Sequence, residues 1–546
     1  MASIAAKTPK EETPILIAGA GPVGLAVAGD LGWRGIPCIV VEKSDGTVTQ
    51  PKMDLLGVRT MEFCRRWGIV DWVENAGYQR DHEQDCVWLS ALSGGYEFGR
   101  ECFPLPCNEV CPPQSPQHRE RQPQNFFDPV IARFARQFPH VAVRYHTELL
   151  GFEEHANGVR AEVRNTQSGM TSTIEASYLA GCDGGGSVVR AQLGVKLPES
   201  AVLTYTTNAI FRCANFWALQ DKKPGYRFIF IGPEGTWATI VAINGRDEYR
   251  FSFVGDGNKR ALTEPELREA IIRAVGRPFD FEILSTMPWI RREYVADSYG
   301  TGRVFLVGDA AHLNSPTGAF GMNTGMQDAA DIGWKLEGAI RGWAGPKLLQ
   351  SYEAERRPVA LRNVKEATAN LKRMMSTREK KPPKEIFESG PEGDRARERF
   401  GAEYTEMMRQ EWFTLGIHLG YWYENSPVIV PDGTPPPPDE VMSYTQTARP
   451  GSRAPHLWLA PGKSTLDLFG RKFVLLRFPG ASKPDALLAA AEAAGVPLRI
   501  EDIDRADAAK LYDRKLVLVR PDGHVAWRAD ATPADCNALI ETIRGA

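Results

Sequence analysis

The chain has 546 residues, 43% of them apolar and 24% charged, with 65 Lys and Arg against 68 Asp and Glu. At about 150 residues per cooperative unit this length gives three or four units with ample core, and the ordinary composition excludes a mainly disordered or fibrous chain. A net charge of −3 provides no general attraction to nucleic acid. Nine cysteines, an odd number with most of them before residue 190, read as reduced thiols of a cytoplasmic protein. The N-terminal MASIAAKTPKEETP carries acidic residues where the apolar core of an export signal would lie. No later stretch reaches about 18 uninterrupted apolar residues, so neither export nor a membrane span is expected.

In chain order, the apolar run 15–18 is predicted to be a buried parallel strand, followed at once by Gly19-Ala20-Gly21-Pro22-Val23-Gly24 and a helix-like segment from Leu25 to Gly32. A second apolar run, Cys38-Ile39-Val40-Val41, ends in Glu42. In such a strand, turn, helix, strand unit the glycines let the backbone turn tightly and approach a pyrophosphate at the helix N-terminus. The acid after the second strand accepts bonds from an adenosine ribose. Residues 126–138 are patterned as a helix, with Asp128-Pro129 read as its N-cap and first-turn proline. Residues 141–145 and 151–164 alternate as solvated antiparallel strands do, with a hairpin at Asn157-Gly158. Tyr178-Leu179-Ala180-Gly181 then runs into a glycine-rich loop, Cys182-Asp183-Gly184-Gly185-Gly186.

Between about 200 and 290 the chain is rich in aromatic and β-branched residues, notably 226–231, 237–242 and 249–254, and reads as a second, mostly antiparallel domain. Its aromatics and charges include Phe230, Trp237, Phe251, Trp289, Arg291 and Arg292. Another buried strand, 303–307, ends in Gly308-Asp309, which puts a carboxylate at the carboxyl end of a strand, where open α/β sheets bind ligands. Helical chemistry runs from Asn323 to about 372, followed by a charged stretch, 378–399, expected on the surface. A stiff proline-rich connector follows at 427–438. Strands at 473–476 and 516–519, with an Ala-rich helix at 484–494, indicate a small α/β domain at the end.

The three glycine–acid patterns, in this order, resemble the class A flavin-dependent aromatic monooxygenases, the family of p-hydroxybenzoate hydroxylase and phenol hydroxylase. The resemblance covers most of the chain to about residue 370. It implies a Rossmann-like FAD-binding domain (1–195 and 296–425) interleaved with the antiparallel substrate domain (196–295). A connector (426–445) and a thioredoxin-like C-terminal domain (446–546) would follow. Gly19, Gly21, Pro22, Gly24, Glu42 and Lys43 would hold the ADP half of FAD, and Asp309 the ribityl hydroxyls. Asp183 would stand at the junction of flavin and pyridine-nucleotide functions. The segment Ser315 to Asn323 resembles the family's flavin-ring loop, which brings in Pro316, Gly318, Gly321, Met322 and Asn323. Gln124 and Arg59 sit where relatives contact FAD phosphates or ribose. Where many relatives carry Pro-Arg-Ala, this chain has Pro51-Lys52-Met53.

Only one dinucleotide fingerprint is present, as the resemblance implies for an enzyme that takes NAD(P)H as an external reductant. The implied reaction is reduction of FAD by NAD(P)H, capture of O2 as a C4a-hydroperoxyflavin, and hydroxylation of a phenolic aromatic. Asp54 stands where phenol hydroxylases place the carboxylate that activates the phenol, and His312 is a second catalytic candidate. Epoxidation or Baeyer–Villiger oxidation of a polyketide-like aromatic is the alternative within the family, and a non-catalytic flavoprotein is an alternative outside it. Cys102, Cys107 and Cys111 lack the paired spacing of a zinc site, and no metal is expected. The C-terminal domain has Cys536 as its sole cysteine, so it is expected to be a structural or subunit-contact module, compatible with a homodimer, and not a dithiol enzyme.

Overall fold

The apolar runs that flank the glycine fingerprint form the centre of the first sheet. In the computed structural model, which describes residues 10–198, 200–255 and 260–546, Lys10–Ala18 lies parallel to Cys38–Val41 on one side and to Thr171–Gly181 on the other. Val304–Leu306 and Val141–Arg144 extend the parallel set at its two ends. Every residue of Cys38–Val41 is buried, as expected of a strand covered on both faces. Residues 1–9, which carry most of the segment read for targeting signals, lie outside the described residues.

Two local expectations are corrected here. Val141–Arg144 is a parallel neighbour of Cys38–Val41 and not an antiparallel strand. An edge strand with one covered face shows period-two alternation in either direction, so the pattern could not fix the pairing. The helix before that strand is Gln124–Arg136, so Asp128 and Pro129 lie inside it. The Phe126 and Phe127 amides close the first turn on the Pro123 carbonyl (2.9 and 3.0 Å), and the Asp128 carboxylate accepts the Gln124 side-chain amide instead of capping. The hairpin of Thr147–His155 with Gly158–Asn165 forms where it was expected.

The second sheet has eight strands, in the order His312–Leu313, Glu282–Val295, Ala201–Arg212, Glu248–Val254, Gly235–Ala242, Arg227–Gly232, Cys86–Leu89 and Glu97–Glu101. It is antiparallel except where Arg227–Gly232 meets Cys86–Leu89, a strand contributed from the first half of the chain. Its first edge strand follows directly on the Gly308-Asp309 turn, so the mouth of the parallel sheet and one face of the antiparallel sheet border a common cleft. The charged stretch 378–399 is mostly exposed, as expected, and its last part opens the helix Pro391–Trp412, which buries Ala396, Tyr404 and Met408 in the core. Arg397 is buried there and donates to the Ile386 and Glu388 carbonyls (3.1 and 2.6 Å).

After the connector, the C-terminal sheet runs Leu498–Asp502, Phe473–Arg477, Leu516–Val519, Val525–Ala529, with the first pair parallel and the others antiparallel. Helices Asp485–Ala493, Ala506–Tyr512 and Cys536–Arg544 complete the expected thioredoxin-like chain order. All nine cysteines are free thiols. No helix among the described residues is long and apolar enough to cross a membrane.

Buried charges join this unit to the rest. Glu62 pairs with Arg59 (2.7 Å) and with Arg453 of the C-terminal part, and accepts the Ser115 hydroxyl (2.6 Å). Arg520 meets Glu355 (2.6 Å) and Asp331 (3.3 Å), and Lys335 bonds both of those carboxylates at 2.7 Å. Burial alone would raise the pKa of Glu62, but the Arg453 and Arg59 guanidiniums hold it at about 2, below the ordinary 4.5. Its contribution is therefore complete above pH 4.5 and fades as pH falls toward 2. Glu62→Gln strands two buried guanidiniums and is expected to cost about 3–5 kcal/mol at neutral pH. Calorimetric melting from pH 7 to pH 3 should show the gap between wild type and variant constant at first and closing only below about 4.5.

Candidate active site

The three fingerprint glycines have different structural reasons. Gly19 has φ +100°, and a Cβ there would lie 2.4 Å from the Cys182 carbonyl oxygen. A Cβ on Gly24 would lie 2.0 Å from the Gly19 carbonyl oxygen. Both are therefore fixed by close backbone packing. Gly21, the N-cap of the helix Pro22–Arg34, has no atom within 4 Å of a Cβ position. Open space there, at the positive end of a 13-residue helix with no side-chain cap, suits a pyrophosphate. Glu42 lies alongside, accepting from the Ala20 amide (3.0 Å) and from Ser44. Lys43 is exposed, and its carbonyl takes the Thr166 hydroxyl.

The other two loops are tied together by Arg190, which follows the glycine-rich loop in the sequence, and by Tyr294, which the sequence did not single out. Arg190 donates to the carbonyls of Gly185 (2.7 Å) and Ala310 (2.8 Å) and to Tyr294 Oη (3.1 Å), and Tyr294 donates to the Asp309 carbonyl (2.6 Å). The Asp183 carboxylate caps a short helix through the Val188 and Val189 amides (2.7 and 3.1 Å). That of Asp309 is different: no donor among the described residues reaches it. Burial pushes its pKa up, against the pull of His312 and Lys52.

The loop before helix Phe320–Arg341 turns through Gly318 (φ +89°) and Ala319 (φ +58°), and the helix starts without a side-chain cap. Thr317 pins the loop by donating to the Ala367 carbonyl (2.7 Å). A Cβ on Gly321 would meet nothing within 4 Å, so free amides of the first turn border open space. Met322 is partly buried against the core of the parallel sheet. The Asn323 side chain is fully engaged: it accepts from the Gly57 amide and the Thr60 hydroxyl (both 2.7 Å) and donates to the Leu55 (2.9 Å) and Ala319 (2.7 Å) carbonyls. Its amide thus staples the segment that follows Asp54 to the loop. Gln124 bridges the Lys52 amide (3.1 Å) and Asp128 (3.0 Å).

Two candidates are not brought to the cleft. The Arg59 guanidinium is taken by Glu62 and by the Asp522 carbonyl of the C-terminal domain (2.9 Å). His312 is fully buried, with Nε2 2.7 Å from Asp328, whose other oxygen is held by Arg356 at 2.7 Å. It is absent from the residues that line the cavity.

That cavity, about 1150 Å³ including its mouth, lies between Pro316–Ala319 and the antiparallel sheet. Asp54 lines it beside Tyr226, which donates to Asp54 Oδ2, while Arg121 (3.3 Å) and Arg250 (3.4 Å) flank the carboxylate. Burial would raise the Asp54 pKa, but Arg121 and Arg250 lower it further, so the group is a carboxylate at neutral pH. Burial holds the Tyr226 phenol protonated, well above its ordinary range. Tyr226, Arg121 and Arg250 carried no signal in the sequence, since each is a common residue in an unremarkable context.

The chain matches the FAD binding domain family over residues 12–367 and the C-terminal region of the aromatic-ring hydroxylases over 447–546. It belongs to the flavin-dependent aromatic monooxygenases. The FAD-dependent monooxygenase apdD of Emericella nidulans is 30% identical over 95% of this chain and 87% of its own length. The 4-methyl-5-nitrocatechol 5-monooxygenase of a Burkholderia species is 30% identical over 97% of each chain. Among solved structures, RebC soaked with chromopyrrolic acid and holding 7-carboxy-K252c is 37% identical, with a TM-score of 0.91 over 98% of this chain and 100% of that one.

The cofactor of this monooxygenase family is FAD, and the residues present fit it. The space at Gly21 would be filled by a side chain, the Asp309 carboxylate lacks a donor that ribityl hydroxyls would supply, and the first-turn amides after Ala319 suit an electron-rich ring edge. Asp309→Ala should weaken FAD retention by about 10- to 100-fold, the range for a hydrogen bond to a charged acceptor. Quenching of FAD fluorescence on titration with apoprotein measures this, and unchanged affinity would remove Asp309 from the site.

Proposed function

We propose that this monooxygenase hydroxylates a phenolic aromatic, with NAD(P)H as external reductant and O2 as the oxygen source. The observation that carries the reading is the Asp54–Tyr226 pair, flanked by Arg121 and Arg250, in a cavity bordered by the loop Pro316–Ala319. The names of relatives that act on a nitrocatechol and as FAD-dependent monooxygenases support it. Bound FAD supplies electron transfer from NAD(P)H and activation of O2. The protein's own groups prepare the ring. A substrate hydroxyl placed at Tyr226 Oη finds an acceptor whose own proton is directed to Asp54, so its proton can pass to Asp54 through the tyrosine. Arg121 and Arg250 favour the phenolate by their charge and make the ring a better nucleophile.

Phenols and their methyl ethers separate this reading from chemistry that needs no ring activation. Phenols should be converted, with NAD(P)H consumption matched to product, whereas the matched ethers should bind and leave the ring unoxidised. Equal conversion of both would exclude a role for the proton.

A further inference from the structure

A second cavity, about 640 Å³ including its mouth, lies at the seam between the FAD-binding part and the C-terminal domain. Trp33, Arg59 and Arg66 line it from one side, and Phe469 and Gly523 from the other. Arg66 stands in the last turn of the helix Val58–Trp67. Its Nη2 donates to the Asp522 carbonyl (3.1 Å), the same oxygen that receives Arg59 Nη2 (2.9 Å), so two guanidiniums lie side by side. Gly523, with φ +91°, keeps the turn clear of them: a Cβ there would lie 3.2 Å from Arg66 Nη2 and 3.6 Å from Arg59 Nη2.

The charges around this pair do not balance. Glu62 is the one carboxylate shared by Arg59 and Arg453, and Arg66 has no ion pair among the described residues. The other acids that act on Arg66, Asp30 and Asp522, are taken by Arg34 (2.6 Å) and Arg520 (2.5 Å). Arg65, also in the lining, is already matched by Asp467 (2.7 Å). Arg59 Nε, Arg66 Nη1 and Arg453 Nη1 are each buried without an acceptor. Burial and the Arg59 charge lower the Arg66 pKa only to about 10, so the group remains a cation at neutral pH.

Three guanidiniums against one carboxylate leave two positive charges that have lost hydration without a counter-charge. A carboxylate would balance one of them. A phosphate group carries a charge of about −1.5 to −2 at neutral pH and accepts from more than one guanidinium fork at once. Trp33 and Phe469 give the same cavity an apolar wall that could take a ring attached to such a group.

We propose that this seam binds a phosphate group, free or carried on a small molecule, with Arg66 as its principal ligand, and that occupancy holds the C-terminal domain against the FAD-binding part. The site is separate from the cavity of Asp54, and the inference does not depend on the reaction proposed there.

The test uses the FAD-loaded protein, in which the pyrophosphate site at Gly21 is filled, titrated calorimetrically with inorganic phosphate, AMP and adenosine in chloride buffer of constant ionic strength. AMP, inorganic phosphate or both should bind with a Kd of about 1 mM or tighter, and adenosine should not. Arg66→Met should weaken that binding by about 10- to 100-fold, the range for hydrogen bonds to a charged group, and Arg66→Lys should recover part of it. Tighter binding of AMP than of phosphate assigns the attached ring to the Trp33–Phe469 wall, and equal binding assigns free phosphate; either upholds the site. Binding of neither anion, AMP bound no better than adenosine, or an affinity unchanged in Arg66→Met would overturn it. Melting adds an independent check: the bound anion should raise the melting temperature of wild type and not that of Arg66→Met. In phosphate-free buffer the variant should melt no lower than wild type, because a buried charge without a counter-charge has been removed. A fall of several degrees there would show that Arg66 is a structural residue and would refute the proposal.

Discussion

Gly21→Val is expected to give a folded, colourless protein. No atom lies within 4 Å of a Cβ at this position, and its φ of −72° is open to any residue, so the fold has no reason to reject the side chain. The branched side chain would instead occupy the space where the helix N-terminus presents its amides to a pyrophosphate. FAD affinity should fall by more than about 100-fold, while the apoprotein melts within a few degrees of wild-type apoprotein. Gly24→Val makes the contrast: its Cβ meets the Gly19 carbonyl oxygen at 2.0 Å, so that variant should lose stability as well as FAD. Near-normal flavin content in Gly21→Val would show that the cofactor does not cross this turn.

Asp54→Asn should leave FAD binding and NAD(P)H oxidation in place and sever them from product formation. Asparagine keeps the shape but removes the charge that faces Arg121, Arg250 and the Tyr226 hydroxyl. The substrate proton then has no final acceptor, and a positioned base is worth about 10²–10⁴-fold. Reducing equivalents should emerge as hydrogen peroxide, read as NAD(P)H consumed against hydroxylated product formed. Full coupling in the variant would move the base elsewhere in the cavity.

Motifs whose chemistry is local were readable from the chain. The glycine fingerprint, the strand that ends in Glu42 and the Gly308-Asp309 turn are each made by a few consecutive residues. The partners of Asp54 were not readable, because Arg121, Tyr226 and Arg250 lie 67, 172 and 196 residues away and converge only when two sheets meet across a cleft. Arg59 and His312 show the reverse case. Each stands beside a real motif in sequence, but the first is turned into the contact with the C-terminal domain and the second into the Asp328–Arg356 cluster. Pairing direction was also hidden at Val141–Arg144 and at Cys86–Leu89, where a four-residue strand carries no mark of which neighbour it will find.

The most direct test of the whole account is the origin of the oxygen in the product. FAD-loaded protein, NAD(P)H and a phenolic aromatic under ¹⁸O2 should give a hydroxylated ring that carries one labelled atom, with the second oxygen atom reduced to water. A product that takes its oxygen from H₂¹⁸O, with none from labelled O2, would contradict it.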